Sequence, residues 1–465
     1  MAWRRPKHSS RGGVRRAGAA ASCGVAALLA TVGVWPGVAQ EETDGAGSAD
    51  IDFDAMFDAE IIEEPVAPAA DGEGLIDPPV ADPLQAAELR WGGRFNFGLD
   101  GAWGWDQYED VGAVDADSES LATDLGGTLF FDARPSETFR VFGKLEVDYV
   151  PDPDDPDGEA FHFDTGIFEL FSDFQWGDWV FFRAGKQRAD WGVGRFFSPA
   201  DLISLVTIDP NDPDAEREGP VAVKAQAPIG VHNAYLYLLT DALQEPLDVG
   251  VAARAEVVVG SFEIGFGGLL QDALVPKGMV TATAALGDFD LFGELLVQQG
   301  TERNLITEPG TLPADVVAAE DRDDWFLSAT VGASYLLTDP SLIVMAQYYY
   351  NPLGYPDSEL RDEALALSLL PDPPIVPLDL LFFGTHYAAA AVSWSDIADT
   401  DISASLSWVG NLSDGSGTVS PALTWRLLDE VVATVGAAVA YGEASAETVE
   451  SVSLTASLSL GSGGF

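Results

Sequence analysis

From residue 90 onward apolar and polar positions alternate, which is the period of a β-strand whose two faces meet unlike surroundings. In 94–105, Phe95, Phe97, Leu99, Trp103 and Trp105 share one face, with Arg94, Asn96 and Asp100 on the other. Over 402–408, Ile402, Ala404, Leu406 and Trp408 oppose Ser403, Ser405 and Ser407. Near the C-terminus Val452, Leu454, Ala456, Leu458 and Leu460 oppose five Ser and Thr. The same pattern predicts strands at 90–105, 121–133, 138–150, 161–176, 179–188, 220–228, 231–240, 247–259, 262–272, 278–286, 289–299, 324–336, 341–350, 381–394, 401–410, 417–427, 430–441 and 448–460, eighteen in all. Segments 278–286 and 381–394 are Ala-rich and weakly patterned, so sixteen strands is the alternative.

Every second connection is short: RPSE, GD, IG, GS, GD, TDP, SDIADT and LD read as hairpin turns. Most of the others are longer and polar, notably 106–120, 189–219, 300–323 and 351–380. An even-numbered antiparallel meander with short turns at one end and long loops at the other is the layout of an all-β, transmembrane outer-membrane barrel. Both termini then fall on the short-turn, periplasmic side. Strands of about 9–11 tilted residues cross a bilayer. Aromatics near strand ends (Trp103, Trp105, Tyr149, Trp176, Trp179, Trp325, Tyr335, Trp394, Trp425, Tyr441) would form its interfacial girdles. Alternation alone also fits a soluble secreted sandwich or propeller with the apolar face turned inward; strand count and loop asymmetry favour the membrane barrel. The terminal Phe465 resembles the signal read by the barrel-assembly machinery, although GSGG at 461–464 breaks the period-two register before it.

Residues 1–39 read as a secretory signal peptide: six Arg and Lys precede an apolar stretch up to Trp35, and Gly37 and Ala39 supply small residues for cleavage. The rest of the chain then carries 17 basic against 75 acidic residues, a net charge of −58. The only cysteine, Cys23, lies in the signal, so the exported part offers no disulfide or thiol. Lipid attachment there is disfavoured, since the apolar run continues past Cys23 and no Leu stands three residues before it. Residues 40–89 are acidic and rich in Ala, Pro and Gly, the composition of a flexible periplasmic tail; FDAMFDAEII within it would make one amphipathic turn against a partner. No run of about 18 apolar residues offers a helical membrane span.

If the apolar faces meet outer-membrane lipid, the opposite faces line the lumen. These bring Arg94, Arg140, Lys144, Arg183, Lys224, Arg254 and Arg426 together with acids that include Asp100, Asp124, Asp132, Glu146, Asp148, Glu169, Asp173, Glu256 and Glu294. Mixed signs give a hydrated wall with a transverse field, unsuited to fatty solutes. The bland reading has the charges pairing to plug a closed lumen. Seven of the 17 basic residues fall between Arg134 and Arg195, so a basic strip would face an otherwise acidic vestibule and orient anionic groups.

GDWVFFRAGKQ (177–187) resembles the segment of general bacterial porins that ends in Gly-Arg/Lys-Gln at the top of the fifth strand, with Gly185, Lys186 and Gln187 in those three places. The resemblance implies that the long third loop, 189–219, folds inward and narrows the pore. Its continuation WGVGRFFSPADLI is more like other porin-like outer-membrane families, which leaves homo-oligomer formation open. Gly192 and Gly194 permit sharp turns, and Phe196 and Phe197 call for burial. Parity puts Arg183 on the lumen face with Gly185 and Gln187, and Lys186 and Arg188 on the other. Arg183, Gln187, Arg195, Arg140, Lys144, Glu169 and Asp173 are therefore the candidate pore-lining and constriction residues. The alternative is that the arginines only tie the loop to the wall through carboxylates such as Glu169 or Asp173.

The octets DPDDPDGE (152–159) and DPNDPDAE (209–216) miss the order of a calcium loop and read as solvated acidic turns. Beyond the signal, three scattered histidines form neither a Ser/His constellation nor a metal pair, so neither catalysis nor a cofactor is expected. The expected function is passive diffusion of small hydrophilic solutes or ions through a porin-like channel, with no nucleic-acid partner. Two rivals stay open: a surface adhesin or structural barrel using long loops such as 351–380, and a transporter of hydrophobic compounds.

Overall fold

The computed structural model describes residues 88–464 apart from 112–115, 137, 152–160, 178, 214, 241–248, 272–273, 303–304, 307–315, 318–323, 339–340, 357–359, 362–382, 429–430 and 444–445. The signal, nearly all of the acidic tail, the first Asp-Pro octet and Phe465 lie outside the described residues. The strands run in chain order: β1 (Glu88–Trp105), β2 (Ser118–Ser136), β3 (Phe139–Pro151), β4 (Phe161–Trp176), β5 (Val180–Lys186), β6 (Val221–Ile229), β7 (His232–Leu239), β8 (Gly250–Val259), β9 (Phe262–Leu270) and β10 (Lys277–Leu286). Then follow β11 (Phe289–Gln299), β12 (Leu305–Ile306), β13 (Val316–Val317), β14 (Trp325–Leu337), β15 (Leu342–Tyr350), β16 (His386–Trp394), β17 (Ile402–Asn411), β18 (Ser416–Leu428), β19 (Val431–Tyr441) and β20 (Ser451–Gly464). The short β12 and β13 pair only with each other. The other eighteen form one antiparallel sheet in which each strand pairs with its sequence neighbours and β1 also pairs with β20, which closes the ring. A closed ring leaves no sheet edge with unpaired backbone groups, the condition for β-structure in lipid.

The Ala-rich segment 277–286 is a full strand between β9 and β11, so the count is eighteen and not sixteen. The Ala-rich expectation for 381–394 narrows to β16, which starts at His386. The GSGG segment does not end β20; pairing with β1 continues to Gly464 through a register shift between Phe95 and Phe97. A bulge of this kind absorbs the break in period two. The short turns follow their chemistry: Gly177, Gly230, Gly260 and Gly287 adopt φ of 61–68°, open to glycine without a Cβ penalty.

One parity of every strand is apolar and exposed. Leu295 and Val297 on β11, Leu327 and Val331 on β14, Leu406 on β17 and Leu454 on β20 belong to it, as do the end aromatics Trp91, Trp176, Trp179 and Trp325. Trp105 departs from the expected girdle: it is buried, and among the described residues its indole nitrogen finds no hydrogen-bond partner. The other parity carries the polar and charged residues, many of them buried, including Lys144, Arg254, Thr281, Glu294, Thr330 and Gln347.

Candidate functional site

The 187–220 segment joins β5 to β6, two adjacent strands, and its contacts extend from β6 round to β15: Ala189, Trp191, Ala200 and Ile203 form one buried cluster with Ala222 of β6, Tyr237 of β7, Ala252 of β8, Leu269 of β9 and Met279 of β10. β15 stands eight strands from β5 one way round the ring and ten the other. The segment reaches β15 by lining the polar face of the intervening strands. The root is closed by a hydrogen bond from the Gln187 amide to the Pro220 carbonyl at 3.1 Å.

Three anchors hold this segment. At the first, the Trp191 ring packs edge-on against Tyr237 of β7 with centroids 5.6 Å apart, and the Arg254 guanidinium of β8 donates to the Trp191 carbonyl at 2.6 Å. At the second, the Glu294 carboxylate of β11 accepts four hydrogen bonds, from the amides of Val193 (2.5 Å), Gly194 (2.6 Å) and Ala200 (2.8 Å) and from the Ser198 hydroxyl (3.0 Å). At the third, the Gln347 amide of β15 accepts from the Arg195 and Phe196 amides and donates to the Phe197 carbonyl. Phe196 and Phe197 are buried there against Met345, Tyr387 and Ala389, with Phe197 stacked on Tyr349. Each buried aromatic contributes roughly 1.5–3 kcal/mol of transfer free energy. Within the segment, Arg217 binds Asp201 at 2.6 Å and Asp190 at 2.9 Å, pinning its two limbs. Burial raises the Asp201 carboxyl above the usual range, and Arg217 pulls it back.

Gly194 shows why this path needs small residues. A Cβ built there would run into the Phe197 carbonyl oxygen, so any side chain would force the turn apart.

The candidate constriction residues separate into two groups. Arg140, Asp173 and Arg183 come together with Lys224 in one lateral row, paired in register across β3, β4, β5 and β6. Arg183 grips Asp173 with two bonds of 2.7 and 3.1 Å and lies 3.8 Å from the centre of the Phe171 ring. Arg140 reaches Asp132 at 2.8 Å and Asp173 at 3.5 Å. Lys144, Gln187 and Glu169 lie apart from this row, at the root of the 187–220 segment. The Lys144 side chain is 4% exposed and bonded to Glu216 of the segment at 2.7 Å. Gln187 is 1% exposed with its amide on the Ala222 carbonyl, and Glu169 accepts from the Arg188 amide. These three seat the root of the segment, because its chain passes over them. Arg195 sits between the Glu294 and Gln347 anchors, near Asp290. Lys186 lies on the outer parity, in register with the exposed Leu170 and Val221, where it donates to the Ile167 carbonyl and pairs with Glu218.

Sequence reasoning put Glu294 and Arg254 on the polar face but missed their anchoring role, and missed Gln347, Arg217 and Tyr237 altogether. No local signal marks a wall residue as the partner of a segment about a hundred positions away. At the long-loop end a second network was also missed. Glu447 accepts hydrogen bonds from Tyr387 and Asn411, both at 2.5 Å, while Asp414 pairs with Arg361 and accepts from the Glu447 amide at 2.8 Å. Burial pushes the Glu447 carboxyl up to about 7. In the octet at 209–216, Asp209 takes the Asn211 amide into a local turn, and no cluster of three or more metal-ligating side chains occurs among the described residues.

No protein-family model matches the chain, and no curated protein matches it in sequence. Solved structures similar to it include Acinetobacter baumannii OccAB1, at 10% identity over 80% of this chain and 96% of that one with a TM-score of 0.46. Pseudomonas aeruginosa OccK9 is 9% identical over 81% and 99% of the two chains, with a TM-score of 0.44. A mutant of the Rh. blastica porin is 10% identical over 81% and 100%, with a TM-score of 0.41.

Proposed function

We propose that this barrel spans the bacterial outer membrane as a porin-like channel, through which small hydrophilic solutes or ions diffuse passively. The 187–220 segment serves as its constriction. The observation that carries the reading is the seating of the 187–220 segment: it is held by Arg254, Glu294 and Gln347 on the polar face of a closed ring whose outer face is apolar. A wall bearing Arg140, Asp173, Arg183 and Lys224 in one row favours hydrated or charged solutes and disfavours a route for fatty compounds. Arg183 and Arg195 set the local sign: replacing both by Ala leaves Asp173 with Arg140 alone at 3.5 Å and the passage more acidic. The chain reaches its place as an exported precursor, inserts with the barrel-assembly machinery, and needs no cofactor.

Purified protein in planar lipid bilayers tests this. Stepwise conductance is expected, with Arg183→Ala/Arg195→Ala shifting selectivity toward cations. Silence under conditions where a known porin conducts overturns the channel, and unchanged selectivity in the double variant removes the two arginines from the constriction. Surface binding without conductance would point to an adhesin instead.

A further inference from the structure

Tyr387 of β16 belongs to two clusters at once. Its ring lies in the seat of the 187–220 segment, beside the buried Met345 and Ala389, with centroids 5.9 Å from Phe197 and 6.2 Å from Tyr349. Its hydroxyl leaves that seat toward the long-loop end, where it donates to Glu447 Oε2 at 2.5 Å and accepts from the Gly384 amide at 2.5 Å. The whole residue is 3% exposed, and close-packed surroundings of this kind transmit small displacements instead of absorbing them.

Glu447, between β19 and β20, is enclosed by donors. Besides Tyr387 its carboxylate accepts from Asn411 at 2.5 Å and from the Phe383 amide at 3.4 Å, while its own amide donates to Asp414 at 2.8 Å. The charged and titratable groups gathered there are Tyr387 from β16, Asp414 from the β17–β18 turn, and Arg361, which pairs with Asp414. The neighbouring His386 holds Tyr348 on the opposite parity, and Glu450 of the same connection turns to the Tyr108 amide. Glu447 has no cation of its own among the described residues, and Asp414 adds a second negative charge beside it. Ionising it costs more than ionising an ordinary carboxyl, first through burial, so it stands at about 7. The closed network is therefore favoured while Glu447 is protonated and weakens as pH rises through about 7.

We propose that Glu447 is a positioning residue for the 187–220 segment, acting through the Tyr387 hydroxyl on the seat of Phe197, so that the long-loop network and that seat open together. The coupling concerns how the segment is held, and rests on the channel reading only for its effect on conductance.

Amide exchange at Arg195 and Phe196, whose N–H groups bond Gln347 in the same seat, tests this on the purified protein in lipid nanodiscs between pH 5 and pH 8, corrected for the intrinsic pH dependence of exchange. A carboxyl moved from 4.5 to about 7 changes the open population by at most about 300-fold; one of its three donors passes on roughly a third of that on a logarithmic scale, about sevenfold. Protection of the two amides is expected to fall about sevenfold more in the parent than in Glu447→Gln, which does not titrate, or in Tyr387→Phe, which keeps the ring on Phe197 and loses the hydroxyl. The Glu447 amide should still respond to pH in Tyr387→Phe, a separation that a merely structural tyrosine would not give. Equal pH dependence at Arg195 and Phe196 in all three chains overturns the proposal. Single-channel conductance at the same pH values distinguishes this failure from that of the channel reading. A conductance that rises with the amide response supports both, and a flat one alongside responding amides keeps the coupling and removes the segment as the constriction.

Discussion

Glu294→Ala is the sharpest probe of how the 187–220 segment is held. The carboxylate receives three backbone amides and one hydroxyl from the crossing segment, all between 2.5 and 3.0 Å, at a side chain that is 2% exposed. Hydrogen bonds to a charged acceptor are worth roughly 1.5–3 kcal/mol each, and a buried donor left unsatisfied costs about 1–3 kcal/mol. The four bonds are coupled and not additive, so a loss of about 4 kcal/mol in docking free energy is a sober figure. That raises the undocked population about a thousandfold. Arg188, Arg195 and Arg217 then become trypsin sites within an otherwise resistant barrel. The assay is limited trypsinolysis in detergent with fragments identified by mass. Cleavage inside 187–220 should be fast in Glu294→Ala, slow in the parent and intermediate in Glu294→Gln, which keeps three acceptor contacts but turns an amide donor toward the Ala200 N–H. Single-channel conductance should rise in the same order. A variant as resistant as the parent and of equal conductance would show that the segment is held without Glu294 and refute the anchoring argument.

Arg217→Ala leaves Asp201 and Asp190 without their shared cation; removing one partner of a buried pair costs roughly 3–5 kcal/mol, read as faster amide exchange across 190–206. At the long-loop end, Glu447 titrates near 7 against an ordinary 4.5 because its carboxyl is buried. A raised folded value means that its stabilising contribution is complete below about 4.5 and fades as pH rises to about 7, a change of roughly 3 kcal/mol. Amide protection of Phe383 and Glu447 should therefore drop between pH 5 and pH 8 in the parent and stay level in Glu447→Gln. Leu295→Arg, on the apolar face of β11, should cost about 2–4 kcal/mol if that residue sits at the bilayer midplane, measured as folding equilibrium in lipid vesicles. An unchanged equilibrium would mean that this face does not meet lipid.

The period-two pattern was enough to find every strand of the ring, to within a few residues at most ends, because alternation is a local property: each residue's face depends only on its parity and on what that face meets. The turns were equally legible, since Gly177, Gly230, Gly260 and Gly287 announce their positive φ by lacking a side chain. Parity also placed Arg183, Asp173, Glu294 and Arg254 on the polar face correctly. It stumbled where a bulge or a glycine breaks the register, as at 461–464, and where crossing chain covers a polar position, as at Lys144 and Gln187.

What the tertiary structure alone decided is which polar residues face open space and which hold the crossing segment. Glu294 and Asp173 look alike in sequence, two acids of correct parity on strands seven apart in the ring. One is buried beneath four donors from residues 193–200, and the other stays half-exposed between two arginines. The difference comes from the path of the 187–220 segment, which follows the polar face from β6 to β15 and covers Glu294 but not Asp173. That path is set by the joint fit of Trp191, Glu294, Gln347 and Phe197, a long-range match of shape and hydrogen bonds that no local period encodes.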